Sequence, residues 1–285
     1  MSTRRTVADA RVVAVRGDRR VDIPDTVVTE EPLEIRLAGP GQHPDLVGVT
    51  MRTPGHDFEL AVGFLLSEGV LASPRVVRSV RYCPLEGMEQ DFNVVTVDVA
   101  VRVDLEGRRR QFVVNSACGV CGSQSVGDLA ARCPTVGPGP AVPADVLVSL
   151  PDRLRREQKV FDRTGGLHGA GLFAADGTLL AVREDVGRHN AVDKLVGWAA
   201  LGGRLPLGDA VLAVSGRVSY EIVAKAAAAG IPVLVAVSAP SSLAVSTAAA
   251  MGITLAGFVR GDRANLYTHP QRVTRPLRPS GRATE

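Results

Sequence analysis

The stretch Ile222–Ala239, IVAKAAAAGIPVLVAVSA, is the most apolar part of the chain and decides how the C-terminal half folds. A lysine, a glycine and a proline interrupt it, so it predicts a helix, a turn and a buried strand and not a membrane span. Two other runs, Ala210–Val214 and Ile253–Val259, are also nearly all apolar. Strands covered on both faces have this composition, which predicts a parallel sheet between helices in an α/β/α domain.

The N-terminal half has a β-rich pattern with one helix, an α+β organisation. The helix is predicted to begin with Thr53 as N-cap and to end near Gly69. Residues 1–25 are polar and are expected to be irregular and flexible. Runs of β-branched residues predict strands at Thr26–Ala38, Leu46–Met51, Val76–Tyr82, Asn93–Val103 and Gln111–Val114.

A segment rich in proline and glycine separates the two patterns, between Cys133 and Pro143. Such a composition is typical of a linker. We therefore predict a β-rich domain over residues 26–137 and an α/β domain over residues 138–267. Residues 268–285 form a Pro/Arg-rich segment that is expected to be disordered.

Charge and composition exclude several classes of function. The formal net charge is +3, and residues 268–285 carry all of it, so the predicted folded domains present no net basic charge to a nucleic acid. Aromatic residues make up only 4%, too few for a base-stacking surface. Four cysteines and the lack of an apolar leader favour a cytoplasmic protein with reduced thiols that does not bind a membrane.

A CxxC pair, Cys118 and Cys121, lies in the segment Asn115–Gly122 before a predicted short helix. Helix N-terminal amides favour the thiolate, which is the reactive form of a cysteine. Four interpretations stay open: a zinc site, a thioredoxin-like dithiol, two buried inert thiols, or a cysteine that carries a persulfide. Cys83 and Cys133 supply no second ligand pair with zinc spacing, so we expect no bound metal.

Polar loops follow the predicted strands of the α/β domain, at the edge where an open parallel sheet binds its ligands. We call this edge the ridge. Arginines there can hold phosphate and helix N-termini can offer amides to an anion, so the ridge predicts a site for a nucleotide-bearing ligand such as GDP. Glu184 or Asp262 can accept hydrogen bonds from a guanine edge. The ridge consists of the loops 183–190, 215–217, 238–242 and 260–263.

Two histidines near these loops have alternative interpretations. His168 is equally compatible with a capping or core residue and with a site residue. His189 lies one helical turn before Asp193, a spacing that either fixes an imidazole tautomer or forms a surface pair.

Several longer motifs together resemble the formate dehydrogenase accessory sulfurtransferases, the FdhD family. The resemblance spans about residues 30–268. The motifs that carry it are EEPL at 30–33, MRTPGHD at 51–57, GFLLSEG at 63–69, CGVCG at 118–122, TGGLH at 164–168, REDVGRHNAVDK at 183–194 and SAPSS at 238–242.

This resemblance implies a cytidine-deaminase-like fold for the C-terminal domain, without the zinc chemistry of the deaminases. It also implies a sulfurtransferase that accepts persulfide sulfur from a cysteine desulfurase of the IscS type and passes it to bis-molybdopterin guanine dinucleotide. The formate dehydrogenase catalytic subunit would receive that molybdenum cofactor, and the family resemblance also implies a homodimer.

The resemblance further implies roles for particular residues. Cys118 matches the persulfide cysteine and Cys121 its companion. The cofactor-binding segment matches Phe258, Val259, Arg260, Gly261, Asp262 and Arg263, to which the ridge argument adds Ser215, Arg217 and Ser238. Two rival functions remain: a chaperone that only binds the cofactor, and a dithiol oxidoreductase.

Overall fold

The chain begins with a β-hairpin in place of the irregular segment predicted for residues 1–25. The computed structural model describes residues 5–83, 92–104 and 135–275. Strand β1 (Val7–Arg16) pairs antiparallel with β2 (Arg19–Val28) around a turn that contains Gly17. The prediction was wrong because both strands are rich in valine, a residue that favours strands, although charged residues interrupt the valines and most side chains are exposed. Backbone groups pair along the full length of both strands.

Four strands form the sheet of the N-terminal domain, in the order β4-β3-β6-β5. They are β3 (Glu31–Ala38), β4 (Asp45–Arg52), β5 (Val77–Tyr82) and β6 (Val94–Val99), with a short 3-10 turn at Pro74–Val76 before β5. Helix α1 (Asp57–Ser67) covers one face, where Leu60 and Leu65 pack with Ile35 and Val97. Strands lie within the predicted runs, but Thr26–Ala38 holds the end of β2 as well as β3, and β6 ends at Val99 and not at Val103. The predicted strand Gln111–Val114 lies outside the described residues.

Helix α1 begins three residues later than predicted. Its N-cap is His56, which has a left-handed backbone with φ 59°, and Thr53 does not cap the helix. Thr53 instead uses its backbone N–H, its hydroxyl and its carbonyl to bind residues more than 130 positions away in the C-terminal domain. Those long-range bonds hold Thr53 outside the helix.

The C-terminal domain alternates helices and strands. Its elements are β7 (Val142–Pro143), α2 (Ala144–Glu157), α3 (Lys159–Thr164), β8 (His168–Ala174), β9 (Leu179–Asp185), α4 (Arg188–Leu201), β10 (Ala210–Val214), α5 (Tyr220–Ala228), β11 (Val233–Ala236), α6 (Ser242–Met251), β12 (Thr254–Arg260), β13 (Arg263–Thr268), a 3-10 turn at Pro270–Arg272 and β14 (Val273–Thr274).

Six of these strands form one mixed sheet in the order β13-β12-β11-β10-β8-β9. Strands β10, β11 and β12 are parallel, as predicted for the three apolar runs, and the outer pairings are antiparallel. Helices lie on both faces: α4, α5 and α6 contribute to one buried cluster, and α2 packs on the opposite face through Leu147, Leu150 and Leu154. The predicted α/β/α layering is present.

The apolar stretch Ile222–Ala239 folds as its composition predicts. Helix α5 ends at Ala228, Gly230 turns the chain with φ 74°, and β11 follows with all four side chains buried. None of the described helices is long and apolar enough to cross a membrane.

The described parts of the predicted linker, residues 135–143, and of the predicted disordered tail, residues 268–275, pack on the C-terminal domain. Val136 is buried and its N–H donates to Met251 O at 2.9 Å, so the core of this domain includes a residue before the expected boundary. Strand β14 pairs with β7, and the Arg272 guanidinium donates to Gly137 O. Order therefore extends beyond residue 268 because a backbone strand and an arginine tie the segment to the linker.

The two domains meet where α1 crosses α4. A β-carbon on Gly63 would lie 1.8 Å from Asp193 O, and one on Gly197 would lie 1.8 Å from Glu59 O. Helix backbones can approach this closely only where both helices have glycine at the crossing.

Candidate functional site

Five chain segments meet at the ridge: the four predicted loops and the start of β8, which the sequence does not predict. The parallel strands β10, β11 and β12 end there, and antiparallel pairing brings the start of β8 and the end of β9 to the same edge. Backbone hydrogen bonds join the loops, since Val218 N donates to Ala239 O and Phe258 N donates to Ser238 O, both at 3.2 Å. The ridge is therefore a continuous surface.

Three predicted ligand-binding residues lie in the central loops. Gly169 N donates to Ser215 Oγ at 2.9 Å, and Ser215 N donates to Gly169 O at the same distance, so Ser215 fastens β8 to β10. Ser238 is half-buried, and its carbonyl accepts from Phe258. Arg217 is exposed beyond the end of β10, which leaves its guanidinium accessible to a ligand.

The predicted segment 258–263 is a hairpin turn between β12 and β13. Arg260 and Arg263 are direct cross-strand partners, and both are exposed. Like charges directly opposite each other destabilise a strand pair, and a bound anion would remove that repulsion. Asp262 is exposed in the turn, and Gly261 has φ 59°, which glycine adopts without strain.

Phe258 and Val259 have opposite environments within this segment. Val259 is fully buried in the core, so its side chain does not reach the ridge surface, and the predicted part of this position in binding the cofactor stays a prediction. Phe258 is 48% exposed and has φ 52°, in a β-bulge that follows Gly257. A positive φ is uncommon for a bulky residue, and strained positions of this kind cluster at functional sites. The strained backbone presents an aromatic ring to solvent.

A group of basic side chains lies at the other end of the ridge. A β-carbon on Gly216 would lie 3.4 Å from His168 Nδ1 and 3.8 Å from Arg188 Cδ, and Arg217 is the next residue. Burial, followed by the charges of Arg188 and Arg217, lowers the pKa of His168. Sequence reasoning placed Arg188 in a ridge loop without a role and left His168 undecided, because neither residue lies in a diagnostic spacing.

Most of the motif at 183–194 serves the domain interface. Lys194 Nζ lies 2.7 Å from Asp185 Oδ2, and both side chains are buried. Both side chains also bind Thr53. Lys194 Nζ donates to Thr53 O at 2.9 Å, and Thr53 N donates to Asp185 Oδ2 at 3.2 Å. Asn190 Nδ2 donates to Asp185 and to Met51 O. These residues therefore join the domains and do not face the ligand surface.

Glu184 does not face a ligand either. Its carboxylate accepts from Val160 N at 3.0 Å and from Phe161 N at 2.8 Å, in the first turn of α3. A carboxylate at a helix start satisfies amides that have no partner within the helix. The expectation that Glu184 can read a guanine edge is wrong, because helix capping uses both oxygens.

A second buried ion pair lies between α4 and α5. Lys225 Nζ lies 2.9 Å from Asp193 Oδ2 and 3.0 Å from Glu68 Oε1. Burial raises the pKa of Asp193 to about 6. Lys225 is fully buried, and the carboxylates of Asp193 and Glu68 raise its pKa. The interaction stabilises the packing of α4 and α5 against the end of α1.

His189 does not pair with Asp193, contrary to both sequence interpretations. Its Nε2 lies 3.2 Å from Ser219 Oγ and 3.9 Å from Glu221 Oε2, at the start of α5. Burial, with the charge of Lys225, lowers its pKa to about 4. The side chain therefore joins α4 to α5 as a neutral imidazole at neutral pH.

The predicted persulfide pair, Cys118 and Cys121, lies outside the described residues, as does Cys133. Cys83 is described as a free thiol, and Arg81 Nη1 lies 2.6 Å from its sulfur. Within residues 5–83, 92–104 and 135–275, no three His, Cys, Asp or Glu side chains are grouped as a metal site would require. The expectation of no metal at the CxxC pair therefore stays a prediction.

Comparisons with known proteins all identify one family. Residues 28–274 match the model of the FdhD/NarQ family. The chain is 53% identical over 278 residues to a protein of Mycobacterium tuberculosis named sulfur carrier protein FdhD, covering 94% of this chain and 98% of that one. It is 51% identical over 270 residues to a protein of the same name from Streptomyces coelicolor, covering 92% and 94%.

One solved structure has the same fold. It is the crystal structure of a candidate formate dehydrogenase accessory protein from Desulfotalea psychrophila, with a TM-score of 0.76. The match covers 95% of this chain and 100% of that one at 24% sequence identity. At this identity the match supports the mixed arrangement of helices and sheets.

Proposed function

Because the chain belongs to the FdhD/NarQ family, we propose that it is a sulfur carrier that accepts persulfide sulfur from a cysteine desulfurase and delivers it to bis-molybdopterin guanine dinucleotide. The names of relatives about half identical in sequence support the sulfur-carrier role. The cofactor is the cargo of this reaction, and the formate dehydrogenase catalytic subunit is its destination. The proposal places the reaction in the cytoplasm, where thiols stay reduced.

The observation that carries the cofactor part of the proposal is the turn at 258–263. It combines an exposed aromatic ring, held by a positive φ, with two directly opposed arginines. An aromatic face stacks on a purine base, and guanidinium groups hold phosphate oxygens through paired hydrogen bonds. A guanine nucleotide has both of these groups, so the chemistry of Phe258, Arg260 and Arg263 fits it.

The sulfur chemistry is assigned to the CxxC pair. The Cys118 thiolate attacks the outer sulfur of the desulfurase persulfide, which forms the Cys118 persulfide and releases the desulfurase thiolate. Attack of the Cys121 thiolate on the inner sulfur then forms a Cys118–Cys121 disulfide and releases hydrosulfide. The two thiols supply the two electrons that reduce the carried sulfur, and the hydrosulfide is the form transferred to the cargo.

We also propose that the protein is a homodimer, on the basis of the family resemblance.

Mass spectrometry of the intact chain tests the sulfur step. After incubation with a cysteine desulfurase and cysteine, the wild-type protein should gain one sulfur atom on Cys118. Cys118→Ala should not gain it, whereas Cys83→Ala should behave as wild type. In a strain that lacks its own carrier, Cys118→Ala should also abolish maturation of formate dehydrogenase.

Each rival function predicts a different result. A cofactor chaperone would support maturation equally well with Cys118→Ala. A dithiol oxidoreductase would form a disulfide with a substrate thiol and would gain no sulfur from the desulfurase. Either result would refute the sulfur-carrier proposal.

A further inference from the structure

His168, Arg188 and Arg217 lie together around Gly216, at the opposite end of the ridge from the 258–263 turn. A β-carbon at residue 216 would lie 3.4 Å from the imidazole of His168 and 3.8 Å from the Arg188 side chain. Because residue 216 is glycine, the space between these two side chains stays open. The end of β10 and the start of α4 hold the two arginines in place. The two arginine charges attract an anion, to which the neutral imidazole can donate a hydrogen bond.

The guanidinium groups of Arg188 and Arg217 form no ion pair with any residue that the structure describes. Arg188 Nε is buried and has no hydrogen-bond partner. In the described ranges, no carboxylate lies within 4 Å of either guanidinium. The acidic residues whose charges act on this group have other partners: Asp185 binds Lys194 and Asn190, and Glu221 faces His189 although the charge of Arg188 also lowers its pKa. A buried guanidinium donor without an acceptor is costly, and an anionic ligand would satisfy it.

We propose that His168, Arg188 and Arg217 form a subsite for a diphosphate group. Two guanidinium planes can each hold phosphate oxygens in pairs, and the N-terminus of α4 adds positive potential. Three strand spacings separate β8 from β12, about 14 Å, so this subsite is distinct from the turn. The inference rests on the proposed function, because it assumes that a nucleotide-bearing cofactor lies along the ridge.

Proton NMR of the histidine rings gives a readout specific to this subsite. The chain has five histidines, and His168→Gln assigns the signal of His168. Added pyrophosphate should shift that signal and raise the pKa of His168, because an anion offsets the effect of Arg188 and Arg217. The same shift should persist in the double variant Arg260→Gln/Arg263→Gln, which alters only the turn.

Calorimetry with pyrophosphate measures the contribution of each arginine. Arg188→Gln and Arg217→Gln should each weaken binding by about tenfold or more, the loss expected for a charge-assisted hydrogen bond. Arg78→Gln, an exposed arginine of the other domain, is the matched control and should bind as wild type. Arg217 is exposed, so its variant tests the subsite even if Arg188→Gln fails to fold.

The outcomes separate this inference from the proposed function. If GDP binds and both Arg188→Gln and Arg217→Gln leave its affinity unchanged, the subsite is wrong and the guanine site at the turn stands. A second outcome is that pyrophosphate shifts the NMR signal of His168, but GDP binds no better than pyrophosphate and guanosine binds no better than ribose. In that case the subsite stands and the guanine-nucleotide proposal fails. If pyrophosphate leaves the His168 signal of the wild type unmoved, the subsite is refuted.

Discussion

Lys194 and Asp185 form an ion pair at 2.7 Å whose side chains are 1% and 0% exposed, and both bind the backbone of Thr53 in the other domain. Removing two charges from water is favourable only when the remaining donors and acceptors are also satisfied. Here Asn190 and the carbonyl of Glu184 complete that set. The pair therefore depends on the docked domains, and their docking depends on the pair.

Lys194→Met should lower the free energy of unfolding by about 3–5 kcal/mol, because it leaves the Asp185 charge buried without its partner. Chemical denaturation measures the loss. The control is Arg155→Met, which removes an ion pair with Asp162 whose side chains are about half exposed. That change should cost less than about 1 kcal/mol. Equal losses in the two variants would contradict a special role for the buried pair.

Gly63→Ala and Gly197→Ala should each lower the melting temperature. Alanine favours a helix over glycine by about 1 kcal/mol, so propensity alone predicts the opposite sign. The new methyl group would overlap a backbone oxygen at 1.8 Å, and overpacking of this kind costs about 1–3 kcal/mol or more. Gly208→Ala is the control, because nothing lies within 4 Å of its β-carbon. Higher melting temperatures for Gly63→Ala and Gly197→Ala would rule out the close crossing.

His189 should make the protein less stable in acid. The folded state lowers its pKa from 6.5 to about 4, so in acid the unfolded chain binds a proton that the folded chain resists. This contribution is fully present above pH 6.5 and is lost as the pH falls toward 4. The free energy of unfolding of the wild type, relative to His189→Gln, should fall by up to about 3 kcal/mol over that interval.

Asp193 acts in the opposite direction, which is why the comparison uses a variant. Its raised pKa, about 6, means that the folded state gains stability as the pH falls through that value. Both proteins contain Asp193, so its effect cancels to first order in the difference. Denaturant titrations at several pH values give both curves, and parallel curves would show that His189 titrates normally.

Phe258→Asn should stabilise the fold while it weakens GDP binding. The left-handed backbone conformation costs phenylalanine about 1–2 kcal/mol, and asparagine adopts it more readily. The free energy of unfolding should therefore rise by about 1 kcal/mol, and loss of the ring should reduce affinity for guanosine and GDP. Leu266→Asn, at an exposed residue of β13, is the control for surface polarity and should do neither. Unchanged GDP affinity in Phe258→Asn would exclude stacking on this ring.

Elements with a local origin could be predicted from the sequence. The stretch Ile222–Ala239 folds as expected because its helix, glycine turn and buried strand follow from adjacent residues. The meeting of loops at the ridge also follows, since parallel strands end at one edge. The paired thiols of the CxxC motif are visible in the sequence, although their segment lies outside the described residues.

Features that depend on distant partners could not be predicted. Thr53 has the sequence pattern of an N-cap, but its hydrogen bonds go to residues 185, 186 and 194 and not to the amides of the helix. Strand periodicity does not reveal the bulge that turns Phe258 outward and leaves Val259 in the core. In the hairpin β1–β2, charged residues interrupt the valines and no side chain is fully buried, so the pattern does not show which face would pack, although the backbone pairs along both strands.

The contact between Gly63 and Gly197 has a consequence for how this protein can be divided. A chain cut at the proline-rich linker would expose two surfaces, each with apolar helix side chains around a glycine and with buried charged or polar groups that lose their partners. Neither half is thus a module that can be expressed, exchanged or inherited without the other. Although the composition suggests two domains, the shared interface makes each domain depend on the other for its folded structure.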